Sequence, residues 1–105
     1  MELLFADTRL QRLCACAPAL RGRLGERGAT EAIAHLASLR AAASLEDFRR
    51  LPGRCHERQG RLQLALPDGR CLQFEPIDDP HPTDGDGELD WTAVRSVRIV
   101  ALANR

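Results

Sequence analysis

The stretch Arg61-Leu62-Gln63-Leu64-Ala65-Leu66-Pro67-Asp68-Gly69-Arg70-Cys71-Leu72-Gln73-Phe74-Glu75 decides how the rest of the chain is read. Leu62, Leu64 and Leu66 alternate with Gln63 and Ala65, the period-two pattern of a strand with one dry face. Pro67-Asp68-Gly69 is a hairpin turn signal, because Pro presets a turn φ and Gly accepts a positive one. The return strand, Arg70 to Glu75, then turns Leu72 and Phe74 inward. A two-stranded antiparallel ribbon needs a further layer to cover its apolar face, and the flanking sequence supplies one.

Toward the carboxyl terminus, Pro76 through Asp90 reads as a polar, acidic loop whose far end is anchored by Trp91. Val94 to Leu102 follows as a last strand, with Val97, Ile99 and Ala101 at alternate positions. Before the ribbon, Arg54 to Arg58 is a strand candidate with Cys55 and Glu57 on one face and His56 on the other, and Gly60 makes the turn. Upstream of Gly53 the period becomes helical. Glu2 to Ala6 is a short first strand, and Asp7 or Thr8 caps a helix that turns Leu10, Leu13 and Cys14 inward. Pro18 with the glycines at 22, 25 and 28 predicts a break within residues 17–28. Thr30 is the expected cap of a second helix to about Arg40, with Ile33, Leu36, Ala37 and Arg40 near a 3.6-residue period. Ser44-Leu45-Glu46-Asp47 resembles a helix start, and a last turn carries Phe48 and Leu51 before Pro52-Gly53 ends it. The expected architecture is one α+β domain over residues 1–105, with helices on one face of an antiparallel sheet.

A chain of 105 residues has room for one core, and its 44% hydrophobic content is enough to build it. No apolar run approaches the ~20 residues of a membrane span, and Met1-Glu2-Leu3-Leu4 lacks a basic signal-peptide start, so a soluble cytoplasmic protein is expected. All 15 basic residues are arginine, and there is no tyrosine, which narrows the side chains available for acid–base work. The net charge of zero hides a split: 11 Arg against 7 acidic residues up to Arg61, then 4 Arg against 8 acidic residues from Leu62 onward. The arginine excess suits an anionic partner such as nucleic acid; the plainer reading is solvated arginines neutralised by nearby acids.

Cys14 and Cys16 lie two apart and point about 200° away from each other on a helix, while Cys55 and Cys71 stand singly. That spacing is poor for zinc, so reduced cysteines acting as small core residues are expected, with no metal and no cofactor. His56 follows Pro52-Gly53-Arg54, and Arg58, Arg61 and Arg70 fall on the same strand or the adjoining ribbon. A histidine among arginines suits general acid–base work on a phosphodiester, with the arginines stabilising developing charge. The alternative is a surface histidine paired with Glu57 or a loop carbonyl. His35 in mid-helix and His81 between two prolines read as structural. Asp84 to Asp90 is acidic but lacks the spacing of a calcium loop.

Three stretches together resemble a known family: Ala43-Ser44-Leu45-Glu46-Asp47-Phe48, Leu51-Pro52-Gly53-Arg54-Cys55-His56-Glu57 and Arg70-Cys71-Leu72-Gln73-Phe74-Glu75-Pro76. They are similar to the RelE/ParE superfamily of type II toxin–antitoxin toxins, and closest to its HigB-like (killer protein) branch. In that branch a helix ends in Leu-Pro-Gly, a strand carries a histidine and the next hairpin ends in an Arg-x-x-Phe strand. Asp79-Pro80, Asp86-Gly87, Leu89-Asp90-Trp91 and Val94 resemble a subgroup with a longer acidic loop.

The resemblance implies a metal-independent, ribosome-dependent mRNA endonuclease with no cofactor. Its partners are a cognate antitoxin, the ribosome and mRNA, without a membrane, and it assembles as a homodimer or toxin–antitoxin hetero-oligomer. His56 matches the strand histidine as general base or acid, and Arg70 matches the arginine that stabilises the transition state. RNA contacts are expected from Arg54, Arg58, Gln59, Arg61 and Arg105. Gln59 stands where the family often carries a lysine. The stretch Ala101-Leu102-Ala103-Asn104-Arg105 stands where active relatives carry Asp-Tyr-His. That departure keeps a second expectation alive: a non-catalytic module of the same fold, a degenerate toxin or a ParE-like gyrase inhibitor, acting by contact alone.

Overall fold

Local sequence sets each turn of the helical half. The computed structural model describes residues 1–49, 55–58, 61–77 and 82–104, with the backbone alone at 49, 55–58 and 104. Asp7 is extended (φ −150°, ψ 167°) and its Oδ1 accepts the Leu10 amide at 2.7 Å, starting helix α1, Thr8–Cys14. Leu10 and Cys14 are buried on its inner side and Leu13 is half-buried, as their spacing predicts. Pro18, in the first turn of helix α2, Ala17–Ala41, fits where its missing amide costs nothing.

Helix α2 bends at Gly25, whose φ of 79° and ψ of 172° leave the helical region altogether. That combination is accessible essentially to glycine alone. The predicted break within residues 17–28 therefore has its centre here. Gly25→Ala is expected to lower the unfolding free energy by about 1–3 kcal/mol, read as a shift in urea midpoint. An unchanged midpoint contradicts a required positive φ at this position.

Two helical expectations are corrected. Thr30 lies inside α2, not at its start, and its hydroxyl donates to the Glu26 carbonyl at 2.9 Å. Ile33 is 42% exposed, whereas Gly28, Ala29, Ala32, Leu36 and Leu39 form the buried stripe. A β-carbon added at position 28 would meet Leu24 Cβ, one turn back on the same helix, at 2.9 Å, so glycine there makes room for the bend at Gly25. In an alanine-rich helix, apolar periodicity therefore points to the wrong face.

Helix α3, Leu45–Arg49, begins where Ser44 Oγ accepts the Asp47 amide at 3.4 Å. Its first amides find distant acceptors: Leu45 donates to the Val94 carbonyl at 2.9 Å and Glu46 to the Trp91 carbonyl at 3.0 Å. Of the acidic segment, residues 83–89 form a hairpin bridged at Thr83 and Leu89. Asp84 Oδ1 accepts the amides of Asp86 at 2.8 Å and Glu88 at 3.1 Å, with Gly87 at φ 81°. Leu89 and Val94 are buried and Trp91 packs against the core, so this segment ties α3 to the sheet. The Met1 ammonium donates to the Arg40 carbonyl at 2.8 Å and to that of Ala42, where α2 ends.

The strands are β1 (Glu2–Phe5), β2 (Cys55–Arg58), β3 (Arg61–Leu66), β4 (Arg70–Pro76) and β5 (Ser96–Asn104). Among the described residues they form one sheet in the order β1-β5-β4-β3-β2. The last four make the expected antiparallel meander. The sheet as a whole is mixed, because β1 runs parallel to β5, with Leu3 beside Val97 and Phe5 beside Ile99. The last strand also begins and ends two residues later than predicted, since residues 94 and 95 lead in from the turn. At the β3–β4 turn Asp68 takes φ 63° and Gly69 φ 72°, the left-handed geometry that Pro-Asp-Gly predicts.

The helices cover one face. Leu62, Leu64, Leu66, Leu72, Phe74, Val97 and Ile99 are all at most 3% exposed there, in one core with Leu20, Leu36 and Leu39. Cys71, on the other face between Ala65 and Ala103, is also fully buried.

Candidate functional site

Residues directly opposite in an antiparallel pair share a face, so register assigns positions to the two sides of the sheet. Position 56 lies opposite Gln63, which lies opposite Gln73, which lies opposite Ala101. The next row holds position 58 opposite Arg61, then Glu75 opposite Arg98. Both rows belong to the face away from Leu62, Leu64 and Phe74, that is, away from the helices. This face, away from the helices, sets a histidine position beside two half-buried glutamines, and two arginine positions beside a carboxylate.

Glu75 is the electrostatic centre of the second row. Its Oε1 lies 3.3 Å from Arg98 Nη1, a direct hydrogen bond, and its Oε2 lies 4.0 Å from Arg61 Nε. The Arg61 side chain is more than half exposed, so the longer pair is weak and leaves its other donors to solvent or ligand. Such a surface offers amide donors and acceptors beside the exposed Arg61 guanidinium, groups suited to gripping a sugar–phosphate backbone.

Arg70 belongs elsewhere. It pairs with Leu66 on the helix-covered face, three residues along β4 from the row of position 56 and two strands away. Strand geometry separates the two Cα atoms by roughly 14 Å, on opposite sides of the sheet. Arg70 Nη1 donates to the Arg23 carbonyl on α2. The structure thus brings position 56 together with 58 and Arg61, and does not bring Arg70 to them. Arg54, Gln59 and Arg105 lie outside the described residues, as do Leu51 and His81.

Arg70, Arg23, Leu24, Leu102 and Ala103 enclose a recess of about 250 Å³ between α2 and the ends of β4 and β5. Sequence reasoning missed Arg23. Nothing local marks it; only the topology, which lays the end of β5 beside the first half of α2, brings it to Arg70.

Among the described residues no group of three or more His, Cys, Asp or Glu side chains is placed to hold a metal ion. Cys14, Cys16 and Cys71 are free thiols. Burial pushes the Cys14 thiol above its usual range, partly opposed by the Arg40 guanidinium. Cys14 and Cys71 are buried and Cys16 is exposed, so native alkylation mapped by mass spectrometry is expected to label Cys16 long before Cys14 or Cys71. Labelling of Cys14 as fast as Cys16 contradicts the burial of the inner side of α1, and equally fast labelling of Cys71 contradicts its burial on β4. His35 Nε2 is buried with no hydrogen-bond partner among the described residues.

No helix among the described residues is long and apolar enough to cross a membrane. No protein-family model matches the chain, and neither a curated protein nor a solved structure matches it.

Proposed function

We propose that this chain is a cytoplasmic RelE/ParE-like toxin, HigB-like in kind, that cleaves mRNA on the ribosome and is neutralised by a cognate antitoxin. The motif resemblance supports the family, and the strand–helices–meander order is compatible with it. The observation that carries the site is the register: position 56 falls opposite Gln63 with the 58–61 pair in the adjoining row of the same face, away from the helices.

In this reading the RNA backbone lies across β2, β3 and β4. The His56 imidazole takes the proton of a ribose 2′-hydroxyl, and the resulting oxygen attacks the adjacent phosphorus. The bond to the 5′-oxygen breaks, leaving a 2′,3′-cyclic phosphate, and the departing oxygen takes its proton from water. Arg58 and Arg61 sit where negative charge accumulates on the phosphorus oxygens, and Gln63 and Gln73 position the nucleotide. The chemistry needs no metal.

Purified protein added to ribosomes programmed with a defined mRNA is expected to produce fragments ending in cyclic phosphate at the A site. Intact mRNA over a range of A-site codons contradicts the reading. One observation favours the alternative of a contact-only module: Arg70, the arginine the resemblance assigns to transition-state stabilisation, is on the far side of the sheet. Gyrase inhibition without RNA cleavage is the outcome that reading predicts.

A further inference from the structure

The recess at Arg70 opens into a second one of similar size, lined by Asp7, Arg9, Leu10, Leu13, Arg23, Val100, Ala101 and Leu102. The two share Arg23 and Leu102, so together they make a groove from α1 past the first half of α2 to the start of β4. Its α1 half carries aliphatic side chains, Leu10, Leu13 and Leu102, whereas the Arg70 half is mainly polar. Three arginines, Arg9, Arg23 and Arg70, stand along it. Among the described residues the one carboxylate in the lining, Asp7, is engaged as the cap of α1. Among the described residues none of the three arginines pairs with an acidic side chain, although this chain carries as many acidic residues as arginines.

A local irregularity shapes the wall. Gln73 pairs with Ala101 and Phe74 with Ile99, so Val100 is an extra residue on β5. Such a bulge bends the strand and re-aims a side chain, and Val100 lines the groove.

We propose that this groove binds an acidic amphipathic segment of a partner protein. Aliphatic side chains of the segment lie on Leu10, Leu13 and Leu102, and its carboxylates meet Arg9, Arg23 and Arg70 in charge-assisted hydrogen bonds. Single-stranded nucleic acid fits less well, because among the described residues the lining contains no aromatic side chain on which bases stack. The three arginines come from α1, α2 and the helix-side position 70, and among the described residues only Ala101 of the position-56 row touches the groove, so the inference does not depend on RNA cleavage.

Fluorescence anisotropy of the full chain tests it with three labelled probes. These are a peptide of repeating Leu-Glu-Glu-Leu-Glu-Glu-Glu, the same peptide with every Glu replaced by Gln, and an oligouridylate. The acidic peptide is expected to bind and to weaken with added salt. The Gln peptide is expected to bind at least about tenfold more weakly. Arg9→Glu with Arg23→Glu is expected to cost the acidic peptide about tenfold or more, and Leu13→Gln a smaller factor, in proteins whose circular dichroism melts match the parent. Four results overturn the proposal: no peptide binding at about millimolar protein, near the weak limit of specific association; equal binding of the Gln peptide; acidic-peptide binding that neither variant weakens; or tighter oligouridylate binding that the arginine substitutions abolish, which reassigns the groove to nucleic acid.

Discussion

Phe74→Ala is expected to lower the unfolding free energy by about 3–5 kcal/mol. Phe74 is fully buried at the centre of the sheet, between Leu62 on β3 and Ile99 on β5. Its ring meets that of Phe48 edge to face, with centroids 6.3 Å apart and planes at 82°. That contact links α3 to the sheet, and such pairs contribute about 0.5–1.5 kcal/mol beyond area burial. Truncation leaves a cavity lined by β3, β5 and α3, which the close-packed leucines around it fill only in part. Domains of this size are stable by only about 5–15 kcal/mol, so the variant loses a large fraction of its margin. Urea denaturation checks it. A loss below about 1 kcal/mol, typical of a surface site, contradicts the placement of Phe74 at the core's centre.

How much of this was legible in the sequence depends on the kind of signal. The β3–β4 hairpin was readable because period-two leucines and Pro-Asp-Gly state the same thing. The α1 cap was readable from Asp7, and the break in α2 from its glycines. The parallel seam between β1 and β5 was not, because nothing in Glu2–Phe5 specifies which strand it joins after the helices intervene. The buried face of α2 was misread because alanine is compatible with either side of a helix, so Ile33 drew the expectation outward.

For the candidate site, the distinction lies in turn geometry. The β2–β3 pairing sets even-numbered positions opposite odd ones, while β3–β4 pairs even with even. Position 56 consequently shares a face with Gln63 and Gln73, and Arg70 shares one with Leu66 and Leu72. A one-residue slip at either turn reverses the face of every side chain beyond it. Proximity in sequence and a common set of arginines therefore suggested one site where register makes two. The groove carrying Arg9 and Arg23 was invisible for a related reason: its parts come from α1, α2, β4 and β5, and no local motif joins them.

The separation gives the proposed chemistry its sharpest consequence. His56→Ala is expected to reduce cleavage by about 10²–10⁴-fold, the usual contribution of a positioned general base. Arg70→Ala is expected to retain cleavage, because Arg70 faces α2 and donates to the Arg23 carbonyl. Its effect falls instead on the packing of α2 against the sheet, where loss of one hydrogen bond costs about 0.5–1.5 kcal/mol. Cleavage abolished equally by both substitutions, in folded proteins, places the working arginine on the helix side and contradicts a site confined to the face away from the helices.

The most direct measurement is the rate of mRNA cleavage on programmed ribosomes by the unaltered protein and by its His56→Ala variant, with folding of both verified by circular dichroism. The account predicts cyclic-phosphate fragments from the first and a loss of at least about a hundredfold in the second. Intact mRNA with the unaltered protein, or equal rates from the two, contradicts it.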